Sequence, residues 1–172
     1  MPNIIEETAA KAAGKVGAIR AAFNGLDGVF RQLADEHKQV ATMLASATMA
    51  STPEKRADLW GKIRQELTAH EHAERQVVYP EFEMHASLMK VVSEHEAEAD
   101  ELELLIRNVD TCALSSSEWE AHLKLLQKAV VHHATREEKE FFPQAQEVLG
   151  EQRLEELEKR YLSARRVFLE GL

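Results

Sequence analysis

The chain has 172 residues, of which 44% are hydrophobic, 30% charged and 6% aromatic, with 7 Gly and 4 Pro. That suits one domain with a buried core that needs no disulfide staples, and it excludes a disordered tail or a turn-rich all-β protein. Acids outnumber Lys and Arg by 30 to 21, a formal charge of −9, which excludes a basic nucleic-acid surface and any attraction to an anionic membrane. The single cysteine, Cys112, rules out an intramolecular disulfide and a multi-cysteine zinc or iron–sulfur site. It reads as a small apolar residue near a helix end. No apolar run approaches the ~18–20 residues of a membrane span. The opening MPNIIEETAAK carries acids where a signal peptide has bases, so the expected address is cytoplasmic. The feature out of character is 8 His beside so few aromatics.

Along the chain the apolar period is helical. Ile5, Ala9, Ala12, Val16, Ile19 and Phe23 form one stripe, a first helix placed at residues 1–25. Asn24-Gly25-Leu26-Asp27-Gly28 is punctuation, with Gly25 as a stop and Asp27 as an N-cap. The stripe resumes in phase at Phe30, Leu33, His37, Val40, Leu44 and Ala47, so one long kinked helix is also compatible. Thr52-Pro53 opens the next helix, with Leu59 or Trp60, then Ile63, Leu67, His70, Glu74 and Val77 on its inner face, and Pro80 ends or bends it. Leu88, Val92, His95, Ala99, Leu102, Ile106 and Val109 make a third stripe of the core region. The run Ser115-Ser116-Ser117-Glu118 contains a capping box ahead of Trp119, Leu123, Leu126, Val130, His133, Glu137 and Phe141. Pro143 and Gly150 close that helix. Leu154, Leu157, Tyr161, Ala164 and Phe168 give a last amphipathic helix.

The expected fold is all-α, an antiparallel up-down four-helix bundle over residues 26–150 with extra N- and C-terminal helices, the latter at 151–172. Each terminal helix could pack on the bundle or on a second copy in a homo-oligomer.

The inner faces hold an inconsistency. They carry His37, His70, Glu74, His95, His133 and Glu137, and an unpaired ionised carboxylate costs several kcal/mol to bury. A bound cation satisfies such groups directly. His70 and Glu74 are one helical turn apart, as are His133 and Glu137, and each pair is followed by an aromatic and a proline (Tyr79-Pro80, Phe142-Pro143). Each is preceded, on the helix before, by an acid–His pair, Glu36-His37 or Glu94-His95. Two such helix pairs related by an approximate two-fold axis set two metal half-sites face to face. In that reading His37 and His70 bind one metal, His95 and His133 the other, and Glu74 and Glu137 bridge. Mixed imidazole and carboxylate donors suit iron best, with manganese or zinc as substitutes. Rival registers fail: no acid stands three residues before any His, as ferritin-like di-iron sites require, and His70-Glu71 is followed by Glu74 where a zinc protease needs its second His.

Over residues Val29 to Leu149 the chain resembles the hemerythrin-like (HHE cation-binding) domains. The resemblance rests on His37, His70-Glu-His-Ala-Glu74 through Tyr79-Pro80, Glu94-His95, and His133-Ala-Thr-Arg-Glu137-Glu138 through Phe142-Pro143. It implies a four-helix bundle holding two iron ions, oxo- or hydroxo-bridged, that binds dioxygen or a related diatomic or peroxide ligand. It also brings a departure: respiratory hemerythrins place a further His one turn after the third-helix His, and here that position is Ala99. One nitrogen ligand is missing, which implies a more open coordination sphere. That weakens simple oxygen carriage and leaves peroxide, nitric oxide or iron-sensing chemistry, with either plain binding or catalase-like, peroxidase-like or NO-reducing turnover as the outcome.

The other polar residues read as structural. His72 and His132 sit about 100° from their ligand neighbours, though His132 pairs with Glu137 at a five-residue spacing. His85 belongs to a loop, and His122 lies roughly 16 Å along the helix from His133. Glu71 is a candidate extra ligand beside His70, but it lies off the stripe and is expected in solvent. Tyr79 and Phe142 read as core plugs. The run Arg136 to Glu140 reads as a solvated face apart from Glu137.

Overall fold

The computed structural model describes residues 25–172, and the stripe from Ile5 to Phe23 falls outside them. The regular structure of the described residues is all helical, with no strand among them. Helix α1 (Gly28–Thr48) packs on α2 (Pro53–Ala73), which runs on through a wide π-helical turn (Glu74–Val78) into α3 (Tyr79–Glu83). A single 3₁₀ turn (Ala86–Leu88) leads to α4 (Met89–Asp110), which packs on α5 (Ser117–Arg136). A second π turn (Glu137–Phe141) joins α5 to α6 (Phe142–Leu149), and α7 (Glu151–Glu170) lies on α1, α2 and the first π turn.

The helix starts follow local chemistry. Thr52 Oγ1 accepts from the Lys55 N–H and Pro53 occupies the first turn. Ser116 accepts from the Trp119 N–H, so the cap is Ser116 and not the Ser115–Glu118 box. Asp27 stands at the N-cap of α1 but gives its carboxylate to Arg31 instead. Gln146 ties that entrance down, accepting from the Asp27 N–H and donating to the Gly25 carbonyl. Gly28 must be glycine: its φ is +50°, and a Cβ would sit 2.7 Å from the backbone of Leu154. Neither proline ends its helix: Pro80, expected to end or bend it, does not end it, and the helix expected to close at Pro143 and Gly150 closes at Gly150. Pro80 and Pro143 lack the N–H for a bond four residues back, and the π turns just before them widen the helix enough to carry it through.

The core is divided. One apolar cluster gathers Phe30, Leu33, Phe82, Leu88, Phe141, Phe142, Leu154 and Leu157. The other gathers Leu44, Trp60, Ile63, Leu102, Trp119, Leu123 and Leu126, with Trp60 rather than Leu59 as the buried one of that pair. Each such side chain contributes about 1.5–3 kcal/mol by leaving water. Along α1 the chain passes from the first cluster (Leu33) through His37 to the second (Val40). Along α2 it returns from Leu67 through His70 to Ala73. Helix α4 repeats the first direction (Val92, His95, Leu102), and α5 with the π turn that follows it the second (Val130, His133, Phe141). A layer of buried histidines and glutamates thus lies between two oily ends.

Candidate metal centre

The i, i+4 spacing sets His70 above Glu74 on α2 and its π turn, and His133 above Glu137 on α5 and its π turn. His37 and His95 meet them from α1 and α4. All six are buried. Two clusters of donor atoms result, with every donor in a cluster within 4.8 Å of the others. One is His37, His70 and Glu137. The other is Glu71, Glu74, His95 and His133. His37 Nε2 lies 3.2 Å from His70 Nε2 and 3.1 Å from Glu137 Oε2. His70 Nε2 is 3.4 Å from Glu74 Oε2. On the other side His95 Nε2 is 3.6 Å from Glu74 Oε2 and 3.9 Å from Glu137 Oε1, and His133 Nε2 is 3.5 Å from Glu137 Oε2. Glu74 and Glu137 therefore face both clusters.

Outside this set, carboxylates hold three of the four rings by Nδ1. His37 Nδ1 is 2.8 Å from Glu138 Oε1, His70 Nδ1 3.0 Å from Glu36 Oε2, and His133 Nδ1 3.0 Å from Glu98 Oε2. A carboxylate on Nδ1 fixes the proton there and turns the Nε2 lone pair inward, the arrangement that supports a ligating histidine. Glu98 is itself held by Arg136, which also pairs with Glu94. His95 Nδ1 has no hydrogen-bond partner.

The residues fit a cation pair. Both carboxylate oxygens of Glu71 and of Glu74, Nε2 of His95 and of His133, and Oε2 of Glu137 are buried without a hydrogen-bond partner, and all point into one space. Such groups are expensive to bury unless a charge of opposite sign meets them. Titration behaviour shows the same tension. Burial pushes Glu74 well above the carboxylate range, and the charges of Glu137 and Glu71 push it further. Burial also opposes ionisation of Glu137, yet the charges of His133 and His37 outweigh it and hold Glu137 well below its ordinary value. Burial disfavours the charged form of His37, but hydrogen bonds to Glu137 and Glu138 raise it to about 9. His133 is raised against burial by Glu137 and Glu71, whereas burial takes His95 down to about 4. The cluster redistributes protons because it has more inward-facing negative charge than side-chain cations to balance it.

Several residues read as structural take part. Glu71 is only 14% exposed: its Oε1 lies 3.4 Å from His133 Nε2 and its Oε2 4.0 Å from His95 Nε2. It does not stand in solvent. Glu138 is buried as well, because the wide turn lets consecutive residues 137 and 138 both face inward. Tyr79 is more than a plug: its hydroxyl donates to Glu137 Oε1 and its ring lies against His95. Phe142 does fill space, stacked on Phe30 at 4.6 Å. His132 points outward, its side chain 67% exposed against 4% for His133, so the five-residue spacing to Glu137 is not used. Of the outer carboxylates, Glu36 was marked only as the acid of the Glu36-His37 pair and Glu138 only as the end of the His133–Glu138 motif, while Glu98 carried no signal, since a partner on another helix leaves no period in the sequence.

Access differs around the centre. A cavity of about 350 Å³ lined by Arg75, Tyr79, Pro80, Glu83, His95 and Glu96 opens at His95. Another of about 220 Å³ between α4 and α5 touches His133. Ala99 faces a third, about 350 Å³, that also exposes Glu71. A void touching His37, His70, Glu71 and His133 measures about 10 Å³, at the lower edge of the ~10–15 Å³ that one water requires.

No helix among the described residues is long and apolar enough to cross a membrane. Searches of curated proteins and of solved structures returned no match. The hemerythrin HHE cation binding domain family matches residues 28–145, the span that holds all of the clustered histidines and glutamates. The chain belongs to that family.

Proposed function

We propose that this chain is a non-haem di-iron protein that binds or senses dioxygen, nitric oxide or peroxide, or holds iron in transit. The observation that carries the reading is the pair of donor clusters with inward lone pairs: Nδ1 of His37, His70 and His133 is spent on a carboxylate, leaving each Nε2 as a donor toward shared Glu74 and Glu137. His37 and His70 would hold one ion, His95, His133 and Glu71 the other, with Glu74 and Glu137 spanning both. Bound there, a pair of iron ions supplies Lewis acidity and reversible electron exchange toward a small ligand. The protein fixes donor geometry through the outer carboxylates and excludes water with the apolar clusters above and below. We read the helices as an antiparallel up-down four-helix bundle at 26–150 with α7 added. The alternating direction in which α1, α2, α4 and α5 cross between the two clusters supports this. A cytoplasmic address agrees with the lone cysteine.

Elemental analysis of the full chain, expressed without metal supplementation, tests the reading. About two irons per chain are expected, with the near-ultraviolet absorption of a ligand-bridged ferric pair. A folded chain that takes up no ferrous iron overturns it.

A second reading is turnover of peroxide or nitric oxide at the same centre, favoured by the cavity that reaches His95 and Tyr79. Tyr79 keeps its proton, since burial and the Glu137 charge push it well above its ordinary value, and so it offers a fixed hydrogen-bond donor at that wall. Steady-state rates with hydrogen peroxide and with nitric oxide, no better than those of free iron, would reject turnover.

A further inference from the structure

The C-terminal helix lies beyond the family's matched span, which ends at residue 145, yet it reaches the centre. Tyr161 is fully buried, and its hydroxyl donates to Glu36 Oε2 at 2.6 Å while lying 3.2 Å from His70 Nδ1. The same Glu36 oxygen takes the His70 Nδ1–H at 3.0 Å and sits 3.3 Å from Arg165 Nε, one turn further along α7. Gln32 Nε2 donates to the other oxygen at 2.7 Å. Arg165 also pairs with Glu66 on α2. Both ends of this chain of contacts are anchored: α7 is pinned at its start by Leu154 against Gly28, and His70 is pinned by the α2 backbone.

An aromatic packing residue would need no hydroxyl here. A phenol buried on a carboxylate, beside a cation, holds that carboxylate in one place.

Building on the metal reading above, we propose that α7 is a working part of the centre: Tyr161 and Arg165 are positioning residues that hold Glu36 on His70, so that docking of this helix and metal retention by the His37–His70 half reinforce each other. Linkage makes the effect reciprocal, so whatever factor the docked helix adds to metal affinity, metal adds to helix docking.

The test uses the full chain loaded with cobalt(II). Its visible spectrum and its binding isotherm are read together with hydrogen exchange of residues 151–170. Tyr161→Phe keeps the ring and removes only the hydroxyl. It is expected to weaken one of two cobalt ions by roughly 10–100-fold, leave the other unchanged and alter the spectrum. In the wild type, cobalt is expected to slow exchange in α7 by a comparable factor, and in the variant to slow it far less. Arg165→Gln removes the second contact from a site near the surface and gives a smaller change of the same kind should Tyr161→Phe fold poorly. Two ions bound identically by wild type and both variants, with equal spectra and exchange, overturn the coupling alone. A wild type that takes up no cobalt overturns the metal reading and the coupling with it.

Discussion

The two halves of the centre share a pair of glutamates and differ in almost everything else. Around His37 and His70 every ring nitrogen has a partner. Glu138 and Glu36 hold the outer nitrogens, Phe142 is stacked parallel to His37, and Tyr161 closes over His70. Around His95 and His133 one outer nitrogen is unpartnered, the carboxylate of Glu71 joins the donors, and cavities of about 220 and 350 Å³ come up to the rings. On the proposed reading the first half would hold an ion firmly and the second would hold an ion and still admit something small, so that a pseudo-symmetric repeat in sequence would become a division of labour in space.

The largest expected effect removes what the halves share. Glu74→Ala or Glu137→Ala should drop metal content from about two ions per chain to below one, by elemental analysis, because each carboxylate faces both clusters. Unchanged content in both variants would break the assignment of donors. Next come changes confined to one half: His70→Ala and His95→Ala should each leave about one ion per chain, and the ion retained in His95→Ala should dissociate more slowly on chelator challenge. Equal dissociation rates would erase the contrast between firm and open halves.

Glu71→Ala should weaken the ion of the open half on the order of a hundredfold in cobalt titrations and leave the closed half untouched. A pH series sharpens the comparison further. His37, raised to about 9, and His133, also raised, carry protons at neutral pH that a cation must displace. Glu74, raised well above the carboxylate range, adds a further proton to displace. Affinity should therefore rise with pH by at least about tenfold per unit above neutrality, with the His37 share of that slope ending near pH 9. His95, lowered to about 4, has already lost its proton and adds nothing to that slope. The smallest effect expected is Glu98→Gln, which spares the donors but loosens His133: roughly tenfold in affinity for one ion.

Much of this was readable from spacing. The stripes through Leu33, His37 and Val40, or Val130, His133 and Glu137, mark inward faces because a helix repeats every 3.6 residues, and six polar side chains on those faces converge in space. Glu71 escaped because it lies about 100° from His70, at the edge of the face where α2 meets α4, and a long side chain can reach in from there. Glu138 escaped because the reading assumed uniform helix pitch. Tyr161 was visible as a stripe residue, but a stripe cannot tell what a hydroxyl will touch on another helix.

The two wide turns carry a consequence for how this chain tolerates change. Each adds a residue to a helix at the point where a donor glutamate gives way to an aromatic and a proline. Deleting any one residue between Arg75 and Val78, or between Glu138 and Phe141, would let the backbone relax into regular pitch. The helix beyond would keep its phase, but the widening would be lost that turns Glu137 and Glu138 both inward and that makes room for the missing N–H of each proline. Length variation should therefore be welcome in the loop at residues 111–116 and lethal to the centre in these two short stretches, although both are helix and neither loop nor active residue marks them out.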